Sequence, residues 1–158
     1  VRRKQQVWQV LLQKRSVEKD AFPGCYDISS AGHVLAGQEY RESALRELFE
    51  ELGILAKPQE LLEIGLHRGW FESEFYGKPF RNNELAMVYL YANPVDVSAL
   101  KLQVSEVESV LWQDLPECLS KVRAKDTQYC IWEDELIMLN KYLSEHKNLE
   151  CFMEKAKI

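Results

Sequence analysis

Three glutamates, Glu47, Glu50 and Glu51, stand at i, i+3 and i+4 within the run Tyr40–Leu52. If that run is helical, all three share one face within about one turn. Ala44, Leu45, Leu48 and Leu52 fall on the other side as an apolar stripe. Like charges at this spacing repel, each neighbouring pair costing roughly a few tenths of a kcal/mol on an exposed helix. A divalent cation reverses that cost. Crowded carboxylate oxygens are hard ligands suited to Mg²⁺ or Mn²⁺, and such an ion could grip the phosphates of a small-molecule substrate. Spacing alone leaves a plainer reading open, in which the acidic face is only a solvated face.

The elements that must position these residues can be read on either side. Gly32 and Gly37 suit a loop before the helix, and Gly53 suits its stop. Val7–Leu12 is β-branched and aromatic enough for a strand, and residues 17–25, with Asp20, Pro23 and Gly24, read as a loop. Tyr26–Ser30 and Gly32–Leu35 are short strand candidates leading into the helix. Pro58 allows a short helical turn. Leu61–Glu74 reads as a long strand, Phe75–Asn83 as a hairpin connection and Glu84–Ala92 as the strongest strand, ended by Asn93-Pro94. Val107–Trp112 is a further strand. Asp114 is a candidate N-cap for a helix from Leu115 to about Lys125, and a last helix is expected over Gln128–His146. Ile131, Leu136, Leu139, Tyr142 and Leu143 fit its core face. The tail 147–158 carries no clear pattern. Strands around one central helix, with two helices at the end, read as α+β in the form of an α/β/α sandwich.

Composition narrows the function classes. The 158 residues suit one domain spanning 1–158, long enough to bury a core without staples. No stretch approaches the roughly 20 apolar residues of a membrane span. A net charge of −5 argues against a general nucleic-acid surface, although an acidic protein can bind polyphosphates where a metal supplies positive charge locally. Cys25, Cys118, Cys130 and Cys151 show no CxxC and no Cys/His pairing, which speaks against structural zinc. Nothing resembles a signal peptide, so free thiols in a cytoplasmic protein are expected. The chain opens at Val1 in a strand-like segment, which suggests that residues precede it.

Gly32 followed by Arg46-Glu47-Leu48-Phe49-Glu50-Glu51-Leu52-Gly53-Ile54 resembles the Nudix box. That resemblance implies a mixed sheet between helices, with the box as a loop–helix–loop whose acidic face lines the substrate cleft. It also implies a metal-dependent hydrolase that cleaves a diphosphate bond, a metal held by Glu47, Glu50 and Glu51, and a family in which homodimers are common. One position departs from the pattern: the first glutamate of the box is Gln38, followed by Glu39. In the family that glutamate more often partners the box arginine than binds metal, so the departure points to a weakened site.

Phe22-Pro23-Gly24-Cys25-Tyr26-Asp27-Ile28-Ser29-Ser30-Ala31-Gly32-His33-Val34 and Asn82-Asn83-Glu84-Leu85 resemble the branch nearest isopentenyl-diphosphate isomerase. Where the isomerase has its catalytic cysteine, this chain has Ala31, which cannot move a proton. Hydrolysis is then the leading reading, with nucleoside di- or triphosphates as the favoured substrate class. Glu47 is the first candidate for general base and Glu84 the second, against a reading of Glu84 as an ordinary strand charge. Arg46 would orient the box by pairing with a carboxylate. Lys14, Arg15, His33 and Gly32 are candidate substrate contacts; Lys14 and Arg15 equally suit a solvated strand end. Trp70, Phe71 and Phe80 could stack on a base but are expected in the core. A nucleotide sensor without turnover, and an interaction protein with a merely acidic surface helix, remain as alternatives.

Overall fold

The computed structural model describes residues 1–75, 77–146 and 149. Its elements are β1 (Arg2–Lys4), β2 (Val7–Arg15), β3 (Tyr26–Ile28), α1 (Tyr40–Leu52), β4 (Leu61–Phe75), β5 (Lys78–Tyr91), β6 (Val107–Asp114), α2 (Leu115–Arg123) and α3 (Glu133–Glu145). Short 3₁₀ turns occupy Pro58–Glu60 and Val97–Ala99. Strand β2 is the centre of one sheet. Antiparallel β6 runs along one edge from Gln9 to Arg15, while β1 and β3 share the other edge. A parallel bridge joins Tyr26 to Tyr129. Strands β4 and β5 form a separate antiparallel hairpin, paired from Leu61–Tyr91 to Phe75–Lys78.

Alternation along β2 explains the layering. Val10 and Leu12 join Leu90, Ala92, Leu115, Cys118, Leu136 and Leu143 in one core, under α2 and α3. Leu11, from the opposite face of the strand, joins Leu48, Leu52, Leu61 and Val107 under α1. A strand buried on both faces by helices is the α+β sandwich expected from the element order. The base of the β4–β5 hairpin enters both cores, so it is anchored where it leaves the body.

Several boundaries differ from the sequence reading. Gly32–Leu35 forms no strand; the His33 carbonyl accepts from the Arg46 side chain rather than from a ladder. Strand β3 ends at Ile28, before Ser29 turns its hydroxyl to the Leu11 carbonyl at 2.6 Å. Phe75–Asn83 is no connection: both strands continue to the turn, with Phe80 opposite Ser73 and Asn82 opposite Phe71. Helix α3 starts at Glu133, not Gln128. Before it, Thr127 and Gln128 form a turn and Tyr129 a bridge, with Tyr26 N–H donating to Gln128 O (2.7 Å) and Cys130 N–H donating to Tyr26 O (3.0 Å). Asp114 precedes α2 but does not cap it; its carboxylate accepts from Gln9 Nε2 at 2.7 Å. Trp70, expected in the core, is 62% exposed, and Phe80 is 39% exposed. Beyond the register shift at Glu63–Gly65, Leu66, Arg68 and Trp70 turn away from the face that carries His67 and Phe71, so Trp70 has no core to enter.

Candidate active site

Helix α1 is fixed by its apolar face and by Gly53, which takes a left-handed φ of 71°, so that its N–H returns to the Phe49 carbonyl and the Ile54 N–H to the Leu48 carbonyl. The same glycine lies against Lys101, whose backbone nitrogen would be 3.2 Å from any Cβ. The acidic face is thereby held toward the loop 29–38 and strand β2.

The three glutamates are in different surroundings. Glu47 packs against Gly32 so closely that a Cβ there would stand 2.0 Å from the Glu47 carboxyl carbon. The opening glycine of the motif is thus required by close approach of a carboxylate, not by backbone conformation. Arg46 Nη2 contacts Glu47 Oε1 at 2.7 Å, Nη1 contacts Glu50 Oε2 at 2.8 Å, and Nη2 also donates to the His33 carbonyl at 3.3 Å. Glu51 turns inward and is 5% exposed, accepting from Gln13 Nε2 (3.4 Å) and from the Ala31 N–H (3.3 Å). Burial pushes its carboxyl up to about 7. The Ala31 N–H opposes that shift, as does the Ser30 hydroxyl, which is buried and falls short of a full hydrogen bond. Glu47 and Glu106 add to it by like charge.

Among the described residues no three His, Cys, Asp or Glu side chains converge as a ready metal cage. Arg46 is the physical reason, since it holds Glu47 and Glu50 while Glu51 faces β2. The donor chemistry still fits a hard divalent cation. Three carboxylates lie within about one turn, and burial and its neighbours' charge disfavour the ionised form of one of them, a penalty that a cation would relieve.

The other sequence candidates lie further out. Lys14 pairs with Glu108 at 2.8 Å. Arg15 is tied to Asp27 at 3.0 Å and to the Ala21 carbonyl, so its charge is already answered in the β2–β3 loop. His33 is exposed and contributes its carbonyl. Glu84 sits mid-strand in β5 opposite Gly69. Gln38 accepts from Ser43 Oγ at 3.1 Å, and the partners of Arg46 are the box carboxylates themselves. Sequence reasoning missed Gln13, Ala31 and Glu106. Gln13 had a visible signal: a polar residue two positions from Leu11, following the apolar run Val10–Leu12, faces the same side of the strand.

The match to known families agrees with this geometry. The NUDIX domain matches residues 1–131. The chain belongs to the Nudix family. It is 37% identical over 108 residues to an uncharacterized Nudix hydrolase of Clostridium acetobutylicum, covering 68% of this chain and 50% of that protein. The chain therefore spans about half the length of that Nudix relative. Isopentenyl-diphosphate Delta-isomerase of Escherichia coli is 25% identical over 146 residues, covering 92% of this chain and 75% of the isomerase. A solved binary complex of the Caenorhabditis elegans Ap4A hydrolase has the same fold, with a TM-score of 0.58 and 22% identity over 91% of this chain and 92% of that one. Among the described residues no helix is long and apolar enough to cross a membrane.

Proposed function

We propose that this Nudix chain is a divalent-metal-dependent hydrolase cleaving a diphosphate bond, with nucleoside di- or triphosphates as the first substrate class. The observation that carries the reading is the packing of Gly32 on Glu47 beside the half-neutralised Glu51, on a helix whose apolar stripe is committed to the core. Glu47, Glu50 and Glu51 would hold Mg²⁺ or Mn²⁺. When bound, the ion supplies charge neutralisation for the phosphate oxygens and makes a bound water more acidic.

The chain's own residues do the rest. Glu47, fixed by Gly32, accepts the proton of the attacking water as its oxygen bonds to phosphorus and the bridging P–O bond breaks. Glu84, on β5, is the second candidate for that base. Arg46 orients the box through Glu47 and Glu50, and the Ala31 N–H with Gln13 keeps Glu51 oriented. Ala31 offers only a backbone group, which supports hydrolysis over isomerisation.

One observation favours a second reading, a nucleotide-binding protein with weak turnover. Gln38 leaves Arg46 without its family partner, and the arginine instead occupies two metal carboxylates. Phosphate release from a panel of nucleotides, nucleotide sugars and prenyl diphosphates, with Mg²⁺ or Mn²⁺, separates the two. Metal-dependent turnover that collapses in Glu51→Gln supports the hydrolase. Nucleotide binding without turnover across the panel would leave the sensor in its place.

A further inference from the structure

His67 lies in β4, outside the box, and is 2% exposed. Its Nδ1 meets Asp134 Oδ2 at 2.5 Å, and its ring stands 5.0 Å from Trp132, so both edge and face are fixed by the start of α3. Its Nε2 is buried with no hydrogen-bond partner in the structure. A buried ring nitrogen left unpaired is costly and calls for an explanation. The group across from it is Glu84. Gly69 pairs with Glu84 in the hairpin, and a Cβ on Gly69 would lie 2.9 Å from His67 Nε2 and 3.2 Å from Glu84 Oε1. The two polar atoms are thus within about 6 Å, across a gap kept clear by the missing side chain. Glu84 is half-buried, whereas His67 is fully buried. Glu135, next to Asp134, is buried and feels the charges of Asp27, Asp134 and Glu84. Glu84 therefore stands among carboxylates, and the ring nitrogen is the group placed to set its direction.

We propose that His67 is a positioning residue: Asp134 fixes its ring, and Nε2 orients the Glu84 carboxylate toward the substrate. This rests on the reading of Glu84 as a working group of the hydrolase. Asp134 and His67 are 67 positions apart and come from a helix and a hairpin, so their contact also ties the orientation of Glu84 to the seating of α3.

The test uses the whole chain, in two independent experiments. In the first, kcat and KM are measured for His67→Phe, His67→Gln, His67→Asn and Glu84→Gln, and for His67→Phe combined with Glu84→Gln. Loss of a positioning contact should lower kcat about tenfold or more in His67→Phe while KM and Mn²⁺ affinity hold. Glutamine, whose amide reaches the place of Nε2, should recover part of the rate, and asparagine should not. On the Glu84→Gln background His67→Phe should add less than about twofold, because one residue acts through the other. Additive losses, equal behaviour of glutamine and asparagine, or an unchanged kcat in His67→Phe would overturn the proposal. In the second, ¹⁵N-histidine NMR of the metal-free protein should show Glu84→Gln moving the His67 Nε2 resonance while those of His33 and His146 stay in place. An unmoved Nε2 resonance overturns the pairing without recourse to turnover. Wild-type turnover in Glu84→Gln would remove Glu84 from the mechanism, and this inference with it. Turnover lost in Glu84→Gln but intact in His67→Phe would overturn the positioning role alone.

Discussion

Replacing Gly32 with alanine isolates the position of one carboxylate. Gly32 lies in an exposed loop and does not occupy the left-handed region, so alanine is conformationally allowed and no core packing is lost. The new methyl carbon would stand 2.0 Å from Glu47 Cδ, 2.2 Å from Oε1 and 2.4 Å from Cγ. Ordinary contact begins near 3.4 Å, so the carboxyl must withdraw by about 1.4 Å or the loop must lift by as much. A misplacement of about 1 Å at a reacting group can cost roughly 100-fold in rate. Gly32→Ala should therefore lower kcat by about two orders of magnitude and weaken Mn²⁺ binding, while the melting temperature stays close to wild type. Turnover on the best panel substrate, Mn²⁺ affinity by electron paramagnetic resonance and thermal melting would be measured side by side. A wild-type rate and affinity in a normally folded Gly32→Ala protein would refute the assignment of Glu47 to the working site.

Gln38→Glu offers Arg46 a new carboxylate and should loosen it from Glu47 and Glu50. Partly exposed pairs of that kind contribute about 0–1 kcal/mol each, so Mg²⁺ affinity by calorimetry should rise by a few-fold and no more. Glu135 is buried, and its carboxyl is pushed up to about 8 by burial first and then by Asp27, Asp134 and Glu84. In the unfolded chain it ionises near its ordinary value, so between that value and about 8 the native state holds a proton the unfolded state has lost. Stability should therefore fall as pH rises through this window, and Glu135→Gln should flatten the slope and exceed wild type at pH 8 in urea unfolding. A wild-type slope in the variant would remove Glu135 as its source. Gly53→Ala places a side chain at φ 71° against the Lys101 backbone and should cost at least about 1–2 kcal/mol, read as a melting temperature lower by several degrees.

The box helix was legible to the residue because its periodicity, its glycine stop and its fixed motif all agree on Tyr40–Leu52. The layering was legible as well, since β2 is apolar on both faces and the terminal segments carry helical spacing. What escaped the sequence is contact between distant positions. Nothing in the order of residues says that Glu51 turns inward to Gln13 and Ala31, or that Arg46 closes on two glutamates once Gln38 bonds Ser43. The His67–Asp134 contact was hidden for the same reason, because it depends on how α3 seats against the hairpin. Trp70 misled through composition: an aromatic in a strand is commonly buried, but a two-stranded hairpin has only one covered face.

The arginine clamp separates folding from loading. Three carboxylates on one helix would ordinarily strain the metal-free protein, yet Arg46 already answers two of them and burial raises the third to about 7, leaving its charge partly neutralised near neutral pH. The acidic helix is then a finished structural element before any ion arrives, unlike a small metal-bound domain that unfolds when its ion is removed. A chelator should abolish turnover while leaving the melting temperature where it was; a marked drop would show that the ion also serves as a staple. The supply of divalent ions would then govern how much of this protein works, and not how much of it exists.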